Sequence, residues 1–434
     1  MEYSINLYNE HMDLGRNKKV MQLRVKMNFS INNVALLSLS LLIICYWGFV
    51  DLVAFMRFTQ ILFFSSVGMI MFCRDKGKIH KYVYLKWAVI WMAICFASII
   101  WSVNIDSTIN KTISVFQVLL VGVGCAVVIN SKRDLLLIEK SIVVAGVVLG
   151  LRLLFVTPLS AWGQDRLGVE IGMHVNSISV NLLISELIAM KLYFASRKKT
   201  KKRMVMYLVV SLLFVVLIFL SASKKSMILM IVGPLLMLLL GKEKVTNKVK
   251  NVAIILASVA LLFSLIEYLP FSFDFATQRF VRALETFING GMDASTGERY
   301  YLMKTALQTF SDNLILGVGL DGSKYFNTVR LYAHCNFLEI AADTGIIGFC
   351  IYYSLYFFIG YQCLKHRNID VNFRYILIIM FCILSLEIFQ ITYFMESYQL
   401  FLSILCCEIY FSKHDEALLQ QQESYTEGKI LCAR

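Results

Sequence analysis

A chain of 434 residues would ordinarily fold as about two or three soluble domains, but 58% of these residues are hydrophobic and only 16% are charged. That balance excludes an ordinary soluble protein, and apolar runs of about 20 residues recur along the chain. A formal net charge of +13 invites a nucleic-acid reading, yet the positive residues are distributed as membrane-orienting charges and no nucleic-acid partner is expected.

Residues 1–33 read as a cytoplasmic tail carrying Arg16, Lys18, Lys19, Arg24 and Lys26, with no cleavable signal peptide. About twelve apolar spans follow, at 34–50, 52–73, 83–103, 109–130, 135–157, 174–195, 205–222, 226–241, 252–270, 335–364, 373–392 and 395–412. Alternate loops are basic: RDKGKIHK from Arg74, SKRD from Ser131, SRKKTKKR from Ser196, GKEKVTNKVK from Gly241 and KHRN from Lys365. The intervening loops, such as VNIDSTIN from Val103 and MES from Met395, carry few positive charges. The positive-inside rule therefore puts both termini in the cytoplasm, the second as the tail 413–434. The expected fold is an all-α polytopic membrane protein, with residues 34–412 forming a single transmembrane domain. Eleven cysteines, mostly inside apolar runs and never spaced C-x-x-C, read as packing residues.

Two sizeable segments then lie outside. The shorter is TPLSAWGQDRLGVEIGMHVN from Thr157, and it contains Arg166. The longer, 271–334, balances six Lys/Arg against six Asp/Glu and is expected to form a compact, partly helical cap. Within it, Ser295 and Glu298 have capping-box spacing, so a helix should run to about Phe310, with Leu302, Met303, Ala306, Leu307 and Phe310 as its apolar stripe. Arg299 shares that face. LGVGLDG from Leu316 reads as a turn, because it lacks the strand and lysine of a phosphate loop. At the mouth of the tenth span Asn336, Glu339 and Asp343 share a helix face, and carboxylates there require water, a partner or a polar cavity. His334 stands at the entrance, and Gly345 and Gly348 should let another helix pack closely. Of the cations at or near membrane depth, Arg152 is expected to pair with Asp51, Glu139 or Glu186. Arg166, Lys224 and Arg299, all on the outer side, could share an anionic ligand.

Arg299, GVGLDG and AHCNFLEIAADTGIIG from Ala333 together resemble the C-terminal signature of the O-antigen polymerase and O-antigen ligase superfamily. DRLGVEIGMHVNSIS from Asp165 is similar to the family's arginine–glycine–asparagine segment, and SASKKSMI from Ser221 to its S-x-S-R segment, with Lys224 in place of arginine. A second departure is Cys335, which separates His334 from Asn336. The resemblance implies a GT-C-like glycosyltransferase architecture in the bacterial cytoplasmic membrane, with its active site on the extracytoplasmic side. It also implies inverting, metal-independent glycosyl transfer from a glycan on polyprenyl diphosphate, without a cofactor. In that reading Arg166, Arg299 and Lys224 hold the diphosphate, and His334 takes the proton of the acceptor hydroxyl. Asn336 and Glu339 contact sugar or support the site. The expected activity is polymerisation of polysaccharide repeat units. Transfer to a lipid A core, a flippase and a purely structural assembly partner are the alternatives. A flippase and a chain-length regulator are expected partners.

Overall fold

The structure, a computed structural model, describes residues 31–73, 83–158, 171–196, 201–241 and 294–413 together with a few isolated positions. The N-terminal tail to residue 30, the span expected at 252–270, Arg166, Arg279 and Arg282 lie outside the described residues.

Among the described residues the chain is helical, with no strand. We number the helices α1 (Ile31–Gly48), α2 (Val53–Cys73), α3 (Val83–Ala97, continued as a 3₁₀ turn Ser98–Trp101), α4 (Ile105–Val128), α5 (Lys132–Val156), α6 (Val175–Ser196), α7 (Lys201–Leu220) and α8 (Lys224–Leu240). After the undescribed stretch come α9 (Ala294–Asp312), α10 (Asn336–His366), α11 (Val371–Glu387) and α12 (396–413). Eleven of these helices fall on expected spans; α9 is the helix expected in the outer cap.

Among the described residues, seven helices are long and apolar enough to cross a membrane: α1, α2, α3 with its 3₁₀ turn, α4, α6, α7 and α10. The other four on expected spans fall short for identifiable reasons. Helices α8 and α11 have 17 residues each. Helix α5 carries Lys132, Arg133, Asp134, Glu139, Lys140 and Arg152, and α12 carries Glu396, Glu408 and Lys413. The described chain is thus a multi-pass helical bundle.

Local chemistry sets the helix starts. Asn104 accepts a hydrogen bond from the Ser107 amide, Ser131 from Asp134 and Asp370 from Asn372, each satisfying a first-turn donor that has no intrahelical partner. Helix α6 is the centre of the bundle, with 94% of its apolar window buried, and it packs on α5, α7 and α8. Helix α10 packs on α3, α9 and α11.

The cations inside the bundle are paired. Arg152 donates to both Asp51 carboxylate oxygens, at 2.6 and 2.5 Å, so of the three partners considered it takes the one at the α1–α2 turn. Glu139 is engaged by Lys191 of α6 at 2.6 Å, and Lys191 also donates to Glu408 of α12. All three members of that group are about 4% exposed, so removing one would strand a buried charge.

Helix α10 is broken in its N-terminal part. Gly345 has φ +63° and ψ −171°, a region open almost only to glycine. A Cβ there would lie 2.2 Å from the Ile315 carbonyl oxygen. The close approach that the sequence assigned to helix packing is therefore made to the turn after α9, while Gly348 faces Ile94 of α3. Gly345→Ala should destabilise the protein by at least about 1–3 kcal/mol, the strain of that backbone before any clash. An unchanged thermal midpoint for the purified variant in detergent would contradict this.

Candidate active site

Helix α9 buries Leu302, Ala306 and Thr309 and leaves Leu307 half exposed, so the buried stripe runs along 302, 306 and 309. Arg299, one turn earlier on that face, is partly buried, and α9 packs on α10. The GVGLDG turn follows and is fastened to α10 by main-chain bonds. The amides of Val318 and Gly319 donate to the carbonyls of Ala342 and Asp343 at 3.1 and 2.9 Å, and the Ile346 amide donates to Leu314 at 2.8 Å. Gly317 has φ +66°, and a Cβ on it would sit 2.5 Å from the Asp343 carbonyl, which explains the glycine. The turn's amides are spent on protein acceptors, as befits a turn rather than a phosphate loop.

The C-terminal end of α3 and the start of α4 grip the same turn. Trp101 donates to the Leu316 carbonyl at 3.0 Å, and Thr108 to Leu320 at 2.7 Å. Ser107 donates to Asp321 at 2.6 Å, and Lys111 and Lys324 pair with that carboxylate.

The polar stripe of α10 is fully engaged. Asp343 accepts the amides of Asp321 and Ser323 at 2.7 and 2.8 Å, which closes the turn over the helix. Glu339 accepts the Ala333 amide at 2.7 Å and fixes the residue that precedes His334. Asn336 accepts the amides of Thr392 and Tyr393 at 2.8 and 3.2 Å and donates to Tyr353 and Glu387 at 3.0 and 3.3 Å. Glu387 is itself a hub, accepting from Tyr353, Tyr356 and Thr392 at 3.0, 2.5 and 2.7 Å. These carboxylates have found partners, the condition that makes their burial tolerable. The bonds of Asn336 and Glu339 run to protein groups, the geometry of support.

His334 is held differently. It has φ +57°, a left-handed conformation uncommon outside glycine, and it lies half buried with its ring 4.4 Å from the Tyr332 ring. Burial, then electrostatic interaction with Arg299, Lys225 and His174, pushes its pKa down from 6.5 to about 4. The imidazole is therefore neutral at pH 7 and able to accept a proton.

Two separate segments thus bring fixed positive charge toward one histidine, Arg299 from α9 and Lys225 from the first turn of α8, and His174 ahead of α6, whose Nδ1 accepts the Asn176 amide, lies within their reach. Lys225 donates to Gln390 in the α11–α12 loop, the loop that Asn336 holds through Thr392 and Tyr393. Placing cations on the first turn of α8 works against its dipole, whose positive end already favours an anion.

Of the residues singled out from sequence, Arg299 lies near enough to His334 for its charge to act on the imidazole. Lys224 is partly buried one position away from Lys225, whose charge is the one acting on His334. Sequence reasoning gave the role to Lys224 rather than its neighbour Lys225, and did not single out His174, Gln390 or Glu387. The doubled lysine in SASKKSMI and the histidine in the Arg166 segment were its visible signals. Among the described residues, no group of three or more His, Cys, Asp and Glu is placed to hold a metal ion.

Residues 208–353 match the family model described as O-antigen ligase, consistent with the O-antigen polymerase and ligase superfamily. The matched stretch runs from α7 into the first half of α10 and contains Lys224, Lys225, Arg299 and His334. No curated protein matches the chain.

Proposed function

We propose that this multi-pass membrane protein, with its O-antigen ligase match over 208–353, is a polysaccharide polymerase joining polyprenyl-diphosphate-linked repeat units. The observation that carries this reading is a half-buried, left-handed histidine at the mouth of α10 that feels the charges of Arg299 and Lys225 from two other segments. His334 accepts the proton of an acceptor-sugar hydroxyl as that oxygen attacks the anomeric carbon of the donor. The bond from that carbon to the diphosphate oxygen breaks, and the diphosphate leaves with the electron pair. Arg299 and Lys225, with Lys224 and Arg166 assisting, neutralise the departing charge, which in a region poor in water matters more than protonation. In our reading a direct displacement inverts the anomeric centre, and side-chain cations do the work a metal would do. Asn336 and Glu339 support the histidine loop. The basic-loop alternation supports an active site on the outer face of the bacterial cytoplasmic membrane, as part of a single transmembrane domain beside a flippase and a chain-length regulator.

The family description supports a second reading, transfer of finished glycan to a lipid A core. Glycan profiles of a deletion strain separate the two. Loss of a polymerase leaves single repeat units on the carrier and at the surface, whereas loss of a ligase leaves long chains on the carrier. Chains of normal length at the surface would refute both readings. A flippase would need charge along a path to both membrane faces, and no observation favours that over the outer-side cluster.

A further inference from the structure

Beside His334 the loop 325–334 displays an unusual set of rings. Tyr325, Phe326 and Tyr332 are 36%, 49% and 39% exposed. This loop is also held in a fixed shape. Asn327 donates to the Leu331 carbonyl at 2.7 Å and accepts the Leu331 amide at 3.1 Å, which closes the backbone into a ring. Arg330 has φ +54° and His334 φ +57°, so Tyr332 stands between two left-handed residues. Arg330 lies 5.9 Å from the Tyr325 ring and Lys324 lies 5.4 Å from it. On α9, Tyr301 reaches Thr328 of the same loop at 3.4 Å. The result is a ledge of aromatic faces rimmed by hydrogen-bond donors, ending at the histidine.

We propose that Tyr332, Phe326 and Tyr325 form the subsite for the acceptor glycan, stacking on successive sugar rings that lead up to His334. This rests on the transferase reading above and adds to it where the acceptor lies. A pyranose presents an apolar face of C–H bonds and a rim of hydroxyls. Its C–H face suits the electron-rich face of an aromatic ring, and its rim suits Arg330, Lys324 and Thr328. Tyr332 fixes the assignment to the acceptor, because its ring adjoins the imidazole that takes the acceptor's proton. The competing use of such rings is anchoring in lipid headgroups.

The test uses the full chain in lipid nanodiscs and, as probe, lipid-free oligosaccharides cut from the producing cell's own surface polysaccharide. Saturating aromatic protons of the protein should transfer magnetisation to sugar C–H protons. Tyr325→Ala with Phe326→Ala should weaken oligosaccharide binding by about tenfold, while Tyr325→Phe with Phe326→Tyr, which keep both rings, should retain it. His334→Asn should bind the probe as wild type does while failing in transfer. Wild-type affinity in the double alanine variant would overturn the proposal. So would quenching of the loop by brominated lipids together with unchanged glycan binding. Probe binding with no transfer in any assay would instead refute the polymerase reading and leave the ledge standing.

Discussion

His334→Asn should lower the rate of repeat-unit joining by about 10²- to 10⁴-fold, the usual worth of a positioned general base, with little change in donor KM. Asparagine is the informative replacement because the position has φ +57°. Asparagine tolerates that conformation, whereas alanine adds strain of about 1–2 kcal/mol and confounds lost chemistry with a shifted loop. The split between kcat and KM follows from the proposed division of labour, in which Arg299 and Lys225 hold the diphosphate and the imidazole acts only as the acceptor oxygen attacks. Elongation of lipid-linked repeat units by purified protein measures both constants. Full activity in His334→Asn would remove the histidine from the mechanism. A raised KM with unchanged kcat would make it a binding group.

The supports of His334 explain why it can be isolated in this way. Glu339 fixes the amide of Ala333, and Asp343 fastens the turn from Asp321 to Ser323 onto α10. Asn336 ties α10 to the α11–α12 loop, which carries Gln390 to Lys225. The polar stripe is thus a brace joining the histidine loop, the glycine turn and the lysine-bearing helix. Charged and amide groups serve well here, because each accepts or donates several bonds that a hydrophobic residue could not.

Much of this was legible in the sequence, and the remainder fails for identifiable reasons. Apolar run length and charge alternation located the helices because both are local properties of the chain. The shared face of Asn336, Glu339 and Asp343 was legible from helix periodicity alone. Their partners were not, since Thr392 and Glu387 come from other elements and the amides of Asp321 and Ser323 from a loop. Lys225 was passed over for Lys224 because neighbouring helix positions differ by about 100°, and only packing decides which one faces the site. Lys191 sat unnoticed within an apolar run, since counting charges in loops ignores a lysine that two buried carboxylates retain. Gly345 was read for closeness, correctly, but the neighbour turned out to be loop backbone, which no periodicity signals.

Removing the cations around His334 should change both donor affinity and pH dependence, and the two effects have linked signs. The folded-state pKa of His334, about 4, lies below the ordinary 6.5 first through burial and then through Arg299, Lys225 and His174. Below the ordinary value an unfolded chain takes up a proton that the folded site refuses. This group therefore withdraws stability as pH falls toward about 4 and has no effect at neutrality. The base is available above that pH, so the acid limb of kcat/KM for the wild type should fall near pH 4. Arg299→Ala or Lys225→Gln removes a charge that opposes imidazolium, so the limb should move upward, though burial keeps it below the ordinary histidine value. Each variant also loses a charged contact to the diphosphate worth about 1.5–3 kcal/mol, hence about a 10- to 100-fold rise in donor KM. Arg299→Lys should keep the pH limb and lose part of the affinity, since an ammonium supplies the charge without the bidentate fork. Bound donor acts in the opposite direction: its diphosphate cancels the surrounding charge, so the limb in kcat should lie above that in kcat/KM. Profiles of both constants for the wild type and the three variants test the whole scheme. A limb unmoved by either charge removal would separate these cations from the imidazole, and with them the leaving-group site from the base.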